Sequence, residues 1–227
     1  MIQIVTVVNK RHVYDSNIKN NIYMSGYNLI TFDNSKDNIS ISKRYNDFIL
    51  NSLNKNSWII FCHQDFAFME DPGPIINNLN KNCIYGVIGI VLLKNWLIKI
   101  IKKILPIDNR LLYGQIIQGG EKKLFKHGKY LSKPKQVDTV DCCCIIVHGS
   151  LIKEHNLLFD EQLGFHLYSE DFSLSANLNH GVLTKAVQIK CKHLSKGDYN
   201  PAFENAKKYL RDKYPNLEFA TTTFNFS

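Results

Sequence analysis

The sequence lacks several features that would assign it to other classes of protein. No apolar run approaches the roughly 20 residues that a membrane-spanning helix requires. The first residues, Met1 to Val8, have no basic lead-in, so they predict a strand and not a signal peptide. There is also no internal repeat and no low-complexity linker. We therefore expect a single globular domain over residues 1–227.

Cysteine spacing argues against both a zinc site and a disulfide framework. The six cysteines include no CxxC pair, and Cys142, Cys143 and Cys144 are consecutive within an apolar run. Neighbouring residues of a strand point to opposite faces, so this trio cannot form a regular disulfide framework. We expect reduced, buried thiols in a cytoplasmic protein.

The charge balance favours an anionic partner. Lysine and arginine exceed aspartate and glutamate by 28 to 20, a net charge of +8, which suits a phosphorylated substrate, an anionic membrane surface or nucleic acid. Nucleic acid is not expected, because most lysines are scattered and not interleaved with aromatics. In residues 94–106, lysines at helical spacing oppose a broad apolar face. This segment could lie at the inner face of a membrane as a peripheral anchor, or it could cover the sheet.

Hydrophobic patterning predicts an α/β fold with a mostly parallel sheet and helices on both faces. Strand and helix patterns alternate within the first 65 residues, as in doubly wound sheets. The predicted strands cover residues 2–8, 27–32, 58–61, 84–91, 113–118, 140–147 and 182–189. Helices are predicted within residues 15–25, over 39–53, from 150 onward and over 201–214.

Polar side chains follow two of these strands at their carboxyl ends. The run that starts at Trp58 ends in His63-Gln64-Asp65, and the late strand is followed by His193. Ligands bind outside the carboxyl ends of strands in open α/β sheets. A carboxylate and imidazoles there suit a divalent cation that carries phosphate oxygens. Residues 159–172 add acidic side chains interleaved with aromatics, a pattern typical of a cleft that shifts carboxylate pKa values.

In this order, the segments resemble the glycosyltransferases of the GT-A fold, within the family-2-like group of inverting enzymes. The similarity is greatest to the branch whose metal motif begins His-Gln-Asp in place of Asp-x-Asp. It spans residues 2–195 and rests on Phe32-Asp33-Asn34-Ser35-Lys36-Asp37, Tyr45-Asn46, His63-Gln64-Asp65, residues 159–172 and His193. The resemblance implies inverting transfer of a sugar from a nucleoside diphosphate sugar, by family habit a UDP-sugar. The acceptor would be a glycan or lipid-linked glycan, in bacterial surface-glycan synthesis.

The resemblance also implies a role for each matching side chain. The nucleotide would be bound by Asn9, Asp33, Asn34 and Asp65. A divalent cation, Mn²⁺ or Mg²⁺, would be held by Asp65, His63 and His193. The sugar and acceptor would contact Asp141, His166 and Tyr168. Asp171 would be the general base, with Glu170 beside it as the second candidate.

Two other functions stay open at this point. A nucleotidyltransferase could use a similar sheet, but it would usually have a Gly-rich basic loop after the first strand, and residues 8–12 contain no glycine. A non-catalytic module could bind glycan or nucleic acid, although it would not need Asp65, Asp171 and His193 at strand or loop ends. The remaining histidines are expected to face solvent: His12, His127, His148, His155 and His180.

Overall fold

The computed structural model describes residues 1–93, 110–120, 123–195 and 199–226. Its strands are β1 (Ile2–Val8), β2 (Asn28–Asp33), β3 (Trp58–Cys62), β4 (Phe66–Phe68), β5 (Cys83–Gly86), β6 (Gly89–Leu92), β7 (Arg110–Tyr113), β8 (Ile116–Gly120), β9 (Lys123–His127), β10 (Lys135–Gln136), β11 (Thr139–Val140), β12 (Cys144–His148), β13 (Leu183–Ala186), β14 (Cys191–His193), β15 (Phe219–Ala220) and β16 (Asn225–Phe226). Its helices are α1 (Arg11–Tyr14), α2 (Ile41–Ser52), α3 (Gly73–Ile76), α4 (Gly149–His155), α5 (Tyr168–His180) and α6 (Pro201–Lys213).

The central sheet has seven strands in the order β10-β13-β5-β12-β3-β1-β2. Strand β1 pairs in parallel with β2 and β3, and β13 pairs in parallel with β5. Strand β12 lies antiparallel between β3 and β5, and β10 is antiparallel to β13. The predicted α/β class is confirmed. The predicted, mostly parallel arrangement is also confirmed: β1, β2, β3, β5 and β13 run in one direction, and only β10 and β12 run in the reverse direction.

Helices cover both faces of this sheet, as predicted. All five residues of β3 are buried, and they alternate between two cores. Ile59 and Phe61 pack in the core formed with α2, α4, α5 and α6. Ile60 and Cys62 pack in the opposite core, which Tyr14 of α1 and residues of α3 complete. Period-2 alternation explains this division, because successive side chains of a strand point to opposite faces.

Two predicted strands divide at glycines. The run 84–91 forms β5 and β6, which belong to different sheets. Strand β5 ends at Gly86, and strand β6 begins at Gly89. Strand β7 ends before Gly114, whose φ of +87° is a conformation that favours glycine. The predicted break at Gly119 is wrong, because β8 continues through Gly120.

The predicted strand 140–147 also divides, because Asp141 forms a turn. The Oδ1 atom of Asp141 accepts a hydrogen bond from the N–H of Cys143 at 2.9 Å. An aspartate that binds backbone two residues later stabilises a turn in place of extended pairing. Strand β11 therefore ends at Val140, and β12 begins at Cys144 in another sheet.

The helices predicted over 39–53, from 150 and over 201–214 are confirmed as α2, α4 and α6. In the first helical region, α1 precedes the predicted residues 15–25, and the π-helical turn Asp15–Lys19 forms their first part. The amphipathic segment 94–106 lies outside the described residues. Among the helices that are described, none is long and apolar enough to cross a membrane.

Candidate active site

The end of β3 and strand β14 bring the predicted metal ligands together. Strand β14 pairs antiparallel with β4, and its register sets His193 opposite Phe66, next to Asp65 in the chain. The N–H of Leu194 donates to the carbonyl of Asp65 at 3.0 Å. The Nε2 atom of His193 therefore lies 3.4 Å from Oδ1 of Asp65, and the rings of His63 and His193 are 5.5 Å apart.

These three side chains fit a divalent cation. Potential ligand atoms of His63, Asp65 and His193 all lie within 4.8 Å of one another. The Nε2 atom of His193 is buried, and beyond its long ion pair with Asp65 it has no hydrogen-bond partner among the described residues, which leaves it able to bind a further group. Two imidazoles and one carboxylate suit a transition-metal ion such as Mn²⁺ better than Mg²⁺, which prefers oxygen ligands.

A second group, Asp141, Cys143 and His193, shares one histidine with the first. It is less suited to a cation, because both oxygens of Asp141 already accept hydrogen bonds, from the Cys143 N–H and from the hydroxyl of Thr222. Cys143 is also fully buried, and burial raises the pKa of its thiol well above the usual range. The first group is the better candidate.

Within the group His63, Asp65 and His193, the carboxylate and the imidazoles shift each other's pKa values. Burial raises the pKa of Asp65, but His193 and His63 outweigh this effect and lower it to about 2. Burial and the neighbouring His193 lower the pKa of His63, so its neutral, metal-binding form is favoured. Burial lowers the pKa of His193, but Asp65 and Asp141 outweigh burial and raise it overall. Asp65 is therefore a carboxylate over the whole physiological pH range.

Tyr168 supports His63 and is not placed to contact an acceptor. It is fully buried, and its hydroxyl lies 2.7 Å from Nε2 of His63 and 3.4 Å from the carbonyl of Cys142. The hydroxyl can donate only one hydrogen, and the carbonyl can only accept. A hydroxyl that donates to this carbonyl accepts the N–H of His63 Nε2, and Nδ1 then keeps its lone pair. The expected acceptor contact of Tyr168 is wrong, because its side chain packs in the core.

Two cavities meet at this site. The smaller, of about 180 Å³, is lined by Asn9, Asn34, Asp65 and Gln64 among others. The larger cleft, of about 410 Å³, is lined by Asp141, His166, Glu170 and His193 among others. His63 and Phe165 line both cavities. Three of the four residues predicted to bind nucleotide thus share the smaller cavity, and two of the three predicted for sugar and acceptor line the larger cleft.

Gln64, which was not among the predicted site residues, organises the smaller cavity. Its Oε1 accepts hydrogen bonds from the N–H groups of Asn9 (3.1 Å) and Lys10 (2.9 Å), and its Nε2 donates to Oδ1 of Asn9. On the opposite side, the amide of Asn34 donates to and accepts from the backbone of Ile39. Both loops that border the cavity are therefore held by side-chain amides.

Asp33 is not among the residues that line the smaller cavity. It is exposed at the end of β2, and its Oδ1 accepts hydrogen bonds from the N–H and the hydroxyl of Ser35. These bonds lower the pKa of its carboxyl. The side chain thus caps a turn, and its predicted contact with a base or ribose stays a prediction.

Glu170 and Asp171 are adjacent in α5 but point to different surroundings. Glu170 is 3% exposed and lines the larger cleft, and its Oε2 accepts a hydrogen bond from the hydroxyl of Ser169. Burial and the nearby Asp141 raise its pKa to about 8. Asp171 instead lies 2.7 Å from Nζ of Lys213 and accepts from the hydroxyl of Tyr214 at 2.8 Å. Of these two carboxylates, Glu170 therefore lines the cleft, whereas Asp171 pairs with residues of α6 and its C-terminal end.

The carboxyl-terminal segment supplies cleft residues that sequence reasoning missed. Thr222 and Thr223 line the larger cleft, and the hydroxyl of Thr222 donates to Oδ2 of Asp141 at 2.7 Å. These residues are far apart in the chain, and no local pattern marks the threonines as site residues. Only the return of the chain after α6 brings them to the cleft.

Two histidines expected to face solvent do not. His127 of β9 lines the larger cleft and is partly buried, which lowers its pKa. His148 is buried at the end of β12, where its ring packs edge-on against Trp58 at 5.1 Å and its Nδ1 lies 2.6 Å from the hydroxyl of Ser150. His148 is therefore structural, whereas His127 belongs to the site.

Comparison with known proteins bears on the fold. No protein-family model matches the sequence, and no curated protein matches it significantly. The structure of GalNAc-T7 with UDP, GalNAc and Mn²⁺ matches with a TM-score of 0.51 at 8% identity, over 93% of this chain and 47% of that one. S. aureus TarS 1–349 in complex with UDP matches with a TM-score of 0.51 at 11% identity, over 96% of this chain and 67% of that one.

A further structure of S. aureus TarS matches with a TM-score of 0.53 at 9% identity, over 96% of this chain and 40% of that one. The chain thus spans about half the length of GalNAc-T7 and two thirds or less of the TarS structures. Likeness at such low identity concerns the backbone arrangement and not the chemistry. The mixed central sheet and its flanking helices are those of the GT-A glycosyltransferase fold.

Proposed function

We propose that this chain is a glycosyltransferase that moves a sugar from a nucleoside diphosphate sugar to an acceptor hydroxyl with inversion. The observation that carries the proposal is the group His63, Asp65 and His193 at the boundary between two cavities. A diphosphate at this boundary would have the nucleoside on one side and the sugar on the other. The two neighbours crystallised with UDP, GalNAc-T7 and S. aureus TarS, favour UDP as the first nucleotide to test.

A divalent cation, Mn²⁺ in preference to Mg²⁺, would be held by His63, Asp65 and His193. When bound, it would neutralise the charge that develops on the departing diphosphate. Asn9 and Asn34, held by the hydrogen bonds described above, would present amide groups to the nucleoside in the smaller cavity. Their fixed positions would lower the entropy cost of binding the donor.

Glu170 is the general base in this proposal. In an inverting transfer the acceptor hydroxyl attacks the anomeric carbon as the bond to the diphosphate breaks, and a carboxylate removes the hydroxyl proton. Glu170 lines the larger cleft, and its raised pKa of about 8 makes its carboxylate more basic than usual. Asp141 would orient the sugar, since Thr222 and Cys143 fix its carboxylate.

The decisive experiment is calorimetric titration of UDP, GDP, CDP and TDP, each with and without Mn²⁺. We expect one nucleotide to bind in a metal-dependent way to the wild type and at least tenfold more weakly to Asp65→Ala. Asp212→Ala is the matched control, because Asp212 is 62% exposed and pairs with Lys208 on the surface of α6. If no nucleotide binds to the folded wild type, the transferase proposal is wrong and a binding module becomes the better explanation.

Transfer itself is tested with the nucleotide sugar that corresponds to the bound nucleotide. Inversion requires the product to have the anomeric configuration opposite to that of the donor, which proton NMR of the product measures directly. A retained configuration would contradict the assigned role of Glu170. The place in surface-glycan synthesis, the cytoplasmic location and the peripheral contact with a membrane are part of the same proposal and rest on the sequence resemblance and the charge.

A further inference from the structure

The mouth of the larger cleft exposes aromatic side chains to solvent. Phe125, Phe165 and Tyr199 line the cleft, and they remain 49%, 39% and 61% exposed. Large apolar side chains that converge on one concave surface mark a binding site, whereas isolated ones need no explanation. No nucleotide-binding or cation-binding role described above uses Phe125 or Tyr199.

One wall of the cleft is strand β9, whose two faces differ. Phe125 and His127 line the cleft, and their rings meet edge-on at 6.0 Å. Leu124 and Lys126 alternate with them and do not line the cleft. The strand therefore presents two rings to the cleft: the apolar ring of Phe125 and, beside it, the polar imidazole of His127.

Another wall is a row of rings at the start of α6. Tyr199 packs edge-on against Phe203 at 5.2 Å, and Phe203 packs edge-on against His166 at 5.6 Å. Phe203 is 7% exposed, so it supports the two outer rings and leaves the face of Tyr199 free for a ligand. The row leads from the mouth of the cleft inward to His166.

The charged side chains of the cleft favour an uncharged ligand over an acidic one. Among its described lining residues there is no lysine or arginine, and the acidic side chains are Asp141 and Glu170. The polar groups between the aromatic walls are uncharged amides and hydroxyls, such as those of Gln118, Ser195 and Thr223. Beside the histidines and the proposed cation, the described lining residues would offer a phosphorylated or carboxylated acceptor no lysine or arginine, while Asp141 and Glu170 would repel it.

A sugar ring has an apolar C–H face and a rim of hydroxyls, so it matches aromatic faces flanked by uncharged polar groups. A lipid chain presents no hydrogen-bonding groups, so it would remove these polar side chains from water with nothing in exchange, which costs binding energy. We propose that the acceptor is an uncharged glycan whose sugar rings stack on Phe125 and Tyr199. This proposal rests on the proposed function and names the acceptor class of the same site.

The test is binding of the labelled full chain, with UDP and Mn²⁺ present, to an array of neutral, uronic-acid-containing, sialylated and phosphorylated glycans. We expect the neutral glycans to be bound and Phe125→Ala and Tyr199→Ala each to lower their signal at least tenfold. Leu124→Ala is the matched control, because Leu124 is 52% exposed on the opposite face of the same strand. It should leave binding unchanged. Thermal unfolding confirms that each variant is folded.

Three results would overturn the proposal: no glycan bound, only acidic glycans bound, or binding equally reduced in the Leu124 and Phe125 variants. Vesicles of phosphatidylcholine and phosphatidylglycerol test the lipid alternative, and binding to them that depends on Phe125 would also overturn it. Nucleotide calorimetry separates this failure from failure of the proposed function. UDP binding without glycan binding would contradict only the acceptor class, whereas glycan binding without any nucleotide binding would contradict transfer.

Discussion

The hydroxyl of Tyr168 lies 2.7 Å from Nε2 of His63, and this contact links helix α5 to the end of strand β3. Histidines that bind metal usually donate their second N–H to a fixed partner, which orients the ring and sets the tautomer. Tyr168 can have this role because it is fully buried and also contacts the carbonyl of Cys142. It thereby restrains the orientation of the His63 ring beside Asp65 and His193.

We expect Tyr168→Phe to weaken Mn²⁺ binding about 10- to 100-fold, the usual effect of losing such a supporting contact. Mn²⁺ affinity is measured by calorimetry in the presence of the bound nucleotide. Tyr130→Phe removes the hydroxyl of a tyrosine that is 69% exposed and serves as the control. Unchanged Mn²⁺ affinity in a folded Tyr168→Phe variant would show that the Tyr168 hydroxyl does not orient a cation ligand.

Glu170→Gln and Asp171→Asn should separate catalysis from stability. We expect Glu170→Gln to lower kcat about 100- to 10,000-fold, as for loss of a general base, with nucleotide affinity unchanged. Asp171→Asn should lower the free energy of unfolding, because Lys213 and Tyr214 lose a charged partner, and should reduce kcat much less. Transfer assays and denaturant unfolding of both variants measure the two effects. The opposite outcome would return the role of base to Asp171.

The pH dependence of transfer follows from Glu170. Its pKa of about 8 means that the carboxylate form grows as the pH rises through that value. We expect kcat/KM to increase with pH and to level off above pH 8. The same shift lowers stability with rising pH, since the folded state retains a proton that the unfolded chain releases between about pH 4.5 and 8. In Glu170→Gln, the stability decrease across this interval should become smaller.

Lys213 holds α6 against the rest of the domain. Its Nζ lies 2.6 Å from Asp160 and 2.7 Å from Asp171, and Asp171 is buried. Removing one partner of a buried pair leaves an uncompensated charge. We expect Lys213→Ala to cost about 2–3 kcal/mol, somewhat below the usual 3–5 because the lysine side chain is 31% exposed.

Lys208→Ala provides a matched control on the same helix. Lys208 pairs with Asp212 at 2.6 Å, but both side chains are largely exposed, so we expect a cost of about 0.5 kcal/mol or less. Urea unfolding measures both variants. Equal costs for Lys208→Ala and Lys213→Ala would show that the buried carboxylate of Asp171 does not depend on its lysine.

Gln64→Ala should lower the affinity for the nucleotide without removing any of the proposed cation ligands. It removes three hydrogen bonds that hold the loop after β1, a loss of about 1–2 kcal/mol or roughly tenfold in nucleotide affinity. Calorimetry with UDP and Mn²⁺ measures this change, and Gln162→Ala, at an exposed position, is the control. An unchanged Kd would show that the loop is held by other contacts.

Local patterns in the sequence account for most of the buried elements, but not for how they meet. The apolar runs of β1 and β3 identify strands buried on both faces, and the spacing in α2 identifies an amphipathic helix. The turn at Asp141 divides a run that is otherwise apolar, and its one local signal is an aspartate able to bind backbone two residues later.

The site could be predicted where its residues follow strands directly. His63, Asp65 and His193 follow or end strands, and strand pairing brings them together. The choice between Glu170 and Asp171 depended on Lys213 and Tyr214, which are more than 40 residues away in the chain. Phe125 and Thr222 reach the cleft through long-range packing, for which a single sequence contains no periodic signal.

His63 and Phe165 form a common wall between the two cavities, and this has a consequence for the order of events in a catalytic cycle. A nucleotide in the smaller cavity that fixes these two side chains also fixes part of the wall of the larger cleft, which the acceptor contacts. Binding free energies are reciprocal, so each ligand should raise the affinity for the other by the same factor. We expect sequential kinetics in which the donor binds first, the acceptor follows, and the free nucleotide is the last product to leave.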